Sequence, residues 1–119
     1  MSKTKPVARK KASRRKGLAA AKLDELIEEA TVDAYDESEQ TTGFFTMFEE
    51  HLTLPFKTEV LGVEVTVEGI DITDDLQIVA VCARGNSRQR IAITELPLPD
   101  QLPKGWEWID AYRRWARRR

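Results

Sequence analysis

Four carboxylates fall within seven residues at Asp33–Glu39, D-A-Y-D-E-S-E, with no Lys or Arg between them. Held on one turn, Asp33, Asp36, Glu37 and Glu39 are the donors a hard cation such as Ca²⁺ takes, because it collects about six to eight oxygens from carboxylates, carbonyls and water. A structural reading competes for the same residues. Asp36 followed three residues later by Glu39 is the spacing of a helix N-cap and its reciprocal acid, and negative charge is favoured at a helix start. A solvated acidic turn that caps a helix therefore stands beside a cation site. Asp71, Asp74 and Asp75 form a second acidic cluster, which as a hairpin turn needs no ligand, since Asp bonds readily to nearby backbone. Neither cluster is an EF-hand. Counted from Asp33 the third position is Tyr35 and the sixth Ser38; counted from Asp71 the sixth is Leu76 and the twelfth Cys82.

Other chemistry has little to work with. The chain holds one His and one Cys. His51, beside Glu49 and Glu50 near a helix end, reads as a surface or capping residue. Cys82 lies in an apolar run and reads as a core residue; a single thiol makes neither an internal disulfide nor a cysteine-based zinc site. There is no G-x-S-x-G, no P-loop and no dinucleotide glycine fingerprint. The expectation is a binding protein and not an enzyme.

The clusters must be positioned by a modest set of elements. A length of 119 residues with 41% hydrophobic content supports one domain with one core. Leu23, Leu26, Ile27 and Ala30 recur at helical spacing within 18–31, and Phe44, Phe45, Met47, Phe48 and Leu52 do so within 39–52, predicting a helix pair with the acidic turn between them. Asp24, Glu25, Glu28 and Glu29 fall on the outer face of the first helix, which is read as solvent-facing. Gly43 weakens the second helix and suggests a close backbone approach. From Lys57 the period changes to two. Val63, Val65 and Val67 predict a strand, Gly62 a bulge or tight turn, and Gly69 a break before Ile70–Ile72. The run 76–83 reads as a central buried strand, 84–89 as a turn and 90–94 as the next strand. Leu96–Pro103 is too proline-rich for a ladder strand. In the closing helix Trp108, Ala111, Tyr112 and Trp115 share one face. The fold class expected is α+β, with an N-terminal helix pair, a bent antiparallel sheet of about four to five strands resembling a small barrel, and a C-terminal helix.

Charge is segregated along the chain. Residues 1–22 carry +9, residues 23–75 carry −15 and residues 76–119 carry +5. Residues 1–17 hold only Val7 as a large apolar side chain, so they are read as a disordered basic arm preceding a domain at 18–119. Such an arm suits phosphate contacts, as do Arg113, Arg114, Arg117, Arg118 and Arg119. A nucleic-acid-associated adaptor is therefore the alternative to a cation-binding protein, with weak anionic contact through the arm. With no secretory signal and no apolar run near the eighteen or so residues of a membrane span, a cytoplasmic location is expected.

The order of several runs resembles a known family. These are A-T-V-D-A-Y-D-E-S-E-Q-T-T-G-F-F-T-M, L-P-F-K-T-E-V-L-G-V-E-V-T-V, I-V-A-V-C-A-R, L-P-L-P and G-W-E-W-I-D-A-Y-R-R-W. Together they cover about 23–115 and are similar to the CcbP-type calcium-binding proteins known from cyanobacteria. The resemblance implies a small α+β domain that binds Ca²⁺ without an EF-hand and serves as an intracellular calcium buffer or sequestering protein. It implies Asp33, Asp36, Glu37 and Glu39 as principal ligands, with Asp71, Asp74 and Asp75 as further contributors. Where the family pattern has another acid this chain has Ser38, so the implied site holds one charge fewer.

Overall fold

A computed structural model describes residues 18–118; the basic arm 1–17 and Arg119 lie outside the described residues. Helices α1 (Ala20–Ala30) and α2 (Glu37–His51) come first. Strands β1 (Phe56–Val60), β2 (Val63–Ile72), β3 (Ile78–Arg84) and β4 (Ser87–Ala92) follow, and helix α3 (Trp106–Arg118) closes the described chain. The sheet is a simple antiparallel meander in the order β1-β2-β3-β4. The class is α+β as expected, but the sheet is open and not barrel-like. Its edges β1 and β4 do not pair, because four strands cannot close around a packed interior and helices fill that side instead.

The strands are joined by turns that their residues dictate. Leu61 and Gly62 both have positive φ, 51° and 80°, as a two-residue primed hairpin turn requires. Leu61 is 97% exposed there, so Gly62 marks a tight turn. Gly85 (φ 59°) opens the second two-residue turn and sets Arg84 opposite Ser87. The last strand consequently begins at Ser87 and ends at Ala92, earlier than the 90–94 expected from pattern alone. The bulge falls in β2, where Val67 pairs with Cys82 and Gly69 with Val81, leaving Glu68 extra. This added residue reverses the side-chain alternation. Val65 and Val67 face the core before it, and Ile70 and Ile72 pack on the same core after it, so one long strand replaces the interrupted pair suggested by Gly69.

The core lies between one sheet face and the helices. Phe44 and Phe48 of α2 meet Tyr112 edge-on, with ring centroids 5.4 and 5.9 Å away, and Phe44 also meets Trp115 at 5.2 Å. All four residues are buried, as are Ile78, Ala80 and Cys82 from β3. Burial raises the Cys82 thiol pKa, consistent with its packing role. Ile93 and Leu96 seat the connector that follows β4, which is pinned twice. Arg113 donates from Nε to the Ile93 carbonyl at 3.0 Å and from Nη2 to the Leu96 carbonyl, and the buried Thr58 hydroxyl donates to the Pro97 carbonyl at 2.7 Å.

Two backbone approaches set the helix arrangement. A β-carbon on Gly43 would lie 2.0 Å from the Ala30 carbonyl oxygen, so α2 crosses α1 where only glycine fits. Gly105 (φ 91°) similarly meets the His51 carbonyl, and Thr53 N–H donates to the Lys104 carbonyl at 2.9 Å, fixing the start of α3 on the end of α2. The outer face of α1 is not purely solvated. Asp24 Oδ1 accepts from Arg114 Nε at 3.0 Å and lies 3.5 Å from Arg118 Nη1, tying α1 to α3.

Gly43→Ala separates propensity from contact. In an exposed helix the change stabilises by about 1 kcal/mol; here the Ala30 carbonyl must move, and a net loss of about 1–3 kcal/mol is expected in urea unfolding. A stabilised variant would contradict the close crossing. The Arg114 hydrogen bond, with the charges of Arg114 and Arg118, holds the Asp24 carboxyl below its ordinary range. A depressed folded-state pKa adds stability above the unfolded value of about 3.9 and loses it as pH falls through the folded value. Asp24→Asn should lower Tm near pH 7, with the gap to the parent chain closing in that acid range.

Candidate metal centre

The acidic turn is built by the ends of α1 and α2. Thr31 closes α1, its N–H and hydroxyl both donating to the Ile27 carbonyl at 3.0 and 2.7 Å. Ala34 N–H returns to the Thr31 carbonyl at 3.0 Å, forming a four-residue turn with Asp33 in the left-handed region at φ 58°. Asp tolerates this conformation better than most residues, which accounts for its backbone role without occupying its carboxylate.

Asp36 is the N-cap of α2, as its spacing predicted: Oδ1 accepts from Glu39 N–H at 2.8 Å. The reciprocal bond reaches one residue farther upstream than in the usual box. Glu39 Oε1 accepts from Tyr35 N–H at 2.7 Å, and Gln40 Nε2 donates to the Ala34 carbonyl at 3.3 Å. The turn is therefore laced on both sides of the cap, with Asp36 and Glu39 each using one carboxylate oxygen in those bonds.

All four carboxylates are exposed, and Glu37 lies with Glu39 in the first turn of α2. Asp33 makes no hydrogen bond or ion pair among the described residues. The donors are all hard oxygens, which fits Ca²⁺ chemistry. Their positions are less complete: among the described residues no three His, Cys, Asp or Glu side chains gather as ligands for one metal ion. The backbone holds the donors on one short stretch without assembling a coordination cage.

The second acidic cluster is occupied by structure. Asp71 sits within β2, where Oδ2 pairs with Arg90 Nη2 at 3.1 Å and Oδ1 accepts from Ile72 N–H at 2.8 Å. Asp75 accepts from the Thr73 hydroxyl inside a turn closed by Thr73 N–H to the Gln77 carbonyl and Leu76 N–H to the Thr73 carbonyl, both at 2.9 Å. Asp74 is exposed on that turn. These bonds satisfy the turn reading of T-D-D; they do not assemble Asp71, Asp74 and Asp75 as a metal group.

His51 is exposed at the end of α2 and stacks on Trp108, with centroids 5.3 Å apart and planes at 13°. The Arg-rich end of α3 is partly engaged within the fold, through Arg113 to the connector and Arg114 and Arg118 to Asp24. Sequence spacing gave no sign of a further polar concavity. A cavity of about 730 Å³ beside β1 is lined in part by Lys57, Glu59, Glu64 and Asp100, with Glu59 directly opposite Glu64 across the hairpin.

A family model, Calci_bind_CcbP, described as calcium binding, matches residues 24–116. No curated protein and no solved structure matches the chain.

The bonds give Asp36 and Glu39 a structural role that Asp33 does not share. Asp36→Ala should lose about 1 kcal/mol in urea unfolding with chelator present, the usual effect of removing a cap. Asp33→Asn should stay within about 0.5 kcal/mol, since Asn also accepts the left-handed conformation. Equal losses would contradict the division.

Proposed function

The chain belongs to the CcbP calcium-binding family, and from this premise we propose that it takes up Ca²⁺ on the turn Asp33–Glu39, outside any EF-hand. The observation that carries the assignment to this turn is the lacing of Asp36 and Glu39. One oxygen of each fixes the backbone and the other remains outside those bonds, on the same short stretch as Glu37 and as Asp33, which makes no hydrogen bond or ion pair among the described residues. Exposed side chains can rotate onto an ion at little packing cost, so a rigid backbone with mobile donors supports binding without a preassembled cage.

Asp33 and Glu37 supply negative charge, Asp36 and Glu39 supply charge and hold the turn, and water fills the remaining positions. Calcium supplies a divalent counter-ion for the repulsion among these groups. Ser38 contributes no charge, and fewer charged ligands weaken a calcium site. That argues for a moderate-affinity intracellular buffer or sequestering protein in preference to a tight structural site. In this reading Asp71 contributes no ligand, because Arg90 already neutralises it.

Calorimetric titration of chelator-treated protein should give saturable Ca²⁺ heat, and Asp33→Asn with Glu37→Gln should weaken binding by about tenfold or more. At free Ca²⁺ a hundred times Kd, unfolding free energy should rise by about 2.7 kcal/mol. No heat with the parent chain would reject calcium binding; unchanged affinity in the double variant would move the site elsewhere.

A further inference from the structure

The negative charge does not end at Asp33. Two shallow, solvent-open grooves lie along the exposed side of α1, one lined by Ala21, Asp24, Glu25, Ile27, Glu28 and Arg118. The other is lined by Glu25, Glu28, Glu29, Thr31 and Val32. Shared Glu25 and Glu28 make them neighbours on one helix face, and the second ends at the residue before Asp33. Asp24 is already matched by Arg114 and Arg118, and Glu25 lies 3.8 Å from Lys22. Glu28 and Glu29 have no ion-pair partner among the described residues. Val32, 68% exposed, gives the acidic groove an apolar patch.

We propose that residues 1–17 dock along this α1 groove as a tethered counter-ion, and that the arm and Ca²⁺ oppose one another's binding. The occupant is identified by charge and connection. Residues 1–17 hold eight Lys or Arg and no acid, and they join the described chain at Leu18, two residues before α1. An 11-residue helix is about 16 Å long, whereas seventeen extended residues reach about 56–61 Å. The arm can turn back along the whole helix and reach the acidic turn. Because it is tethered, it meets the groove at high effective concentration and needs only weak contacts.

The antagonism rests on the proposed calcium site. Arm cations at Glu28 and Glu29 reduce the negative potential one turn from Asp33, and Ca²⁺ on Asp33–Glu39 reduces the potential that holds the arm. Coupling between two bound states is reciprocal, so each must weaken the other equally.

Two measurements on the full chain separate docking from antagonism. Carbodiimide cross-linking at low ionic strength with chelator should join lysines of 1–17 to Glu25, Glu28 or Glu29 within single chains. Joins confined to other carboxylates, or found only between copies in a mixture of isotope-labelled and unlabelled protein, would overturn docking; the latter identifies a second copy as the occupant. Calcium titration should then compare the parent chain with one in which all eight basic residues of 1–17 are Gln. The variant should bind about fivefold tighter or more at low salt, with the difference collapsing near 1 M salt, where screening acts over about 3 Å. Equal low-salt affinity would overturn the antagonism. If neither chain takes up calcium, the proposed site fails, and the cross-links still decide whether the arm docks.

Discussion

The arrangement of the helical half depends on a contact with no spare room. At Gly43 the backbone of α2 lies against the Ala30 carbonyl, where any β-carbon would collide. That crossing brings the end of α1 and the start of α2 together and obliges residues 31–36 to turn within a short span. The aromatic interlock of Phe44 and Phe48 with Tyr112 and Trp115 then holds α2 on α3, and Gly105 repeats the close approach at the other end of α2. Packing determines where the acidic turn stands, while hydrogen bonds determine its shape.

Within the turn, the structural role leaves room for the proposed binding role because a carboxylate has two oxygens. Asp36 and Glu39 give one each to backbone N–H groups that a helix start would otherwise leave unsatisfied. The partial positive charge at the start of α2, equivalent to roughly half an elementary charge, favours all the nearby acids. It offsets only a small part of four formal charges. The residual repulsion is tolerable because the groups are exposed to water, and it is also what a divalent cation would relieve.

Much of this was legible in the residues. The helix pair, Asp36 as cap, the close approach at Gly43 and the aromatic face of α3 follow from local spacing, which records local constraints directly. The barrel-like closure did not follow, since alternation specifies which way side chains face but not whether two distant edges meet. Gly69 signalled a break, yet the break is a bulge at Glu68 that keeps Ile70 and Ile72 on the core side, a distinction set by pairing with β3. The α1 acids all looked solvated because nothing local marks Asp24 as the partner of arginines some ninety positions away. The two acidic clusters look alike as strings of letters. Cross-strand pairing with Arg90 and the Thr73 turn distinguish the second from the first, and neither is visible in its own spacing.

The helix start also limits the strength of the proposed calcium site. The same positive dipole end that stabilises Asp36 and Glu39 repels a cation brought beside them, so the carboxylates must supply more attraction than the ion alone would require. The oxygens committed to Tyr35 and Glu39 N–H groups are aimed toward backbone, leaving rotation of exposed groups to complete any coordination. Each rotation orders an exposed side chain and subtracts from the gain of binding. A site arranged this way favours ready uptake and release over tight retention. Its occupancy is accordingly sensitive to any other positive charge that can reach the same surface.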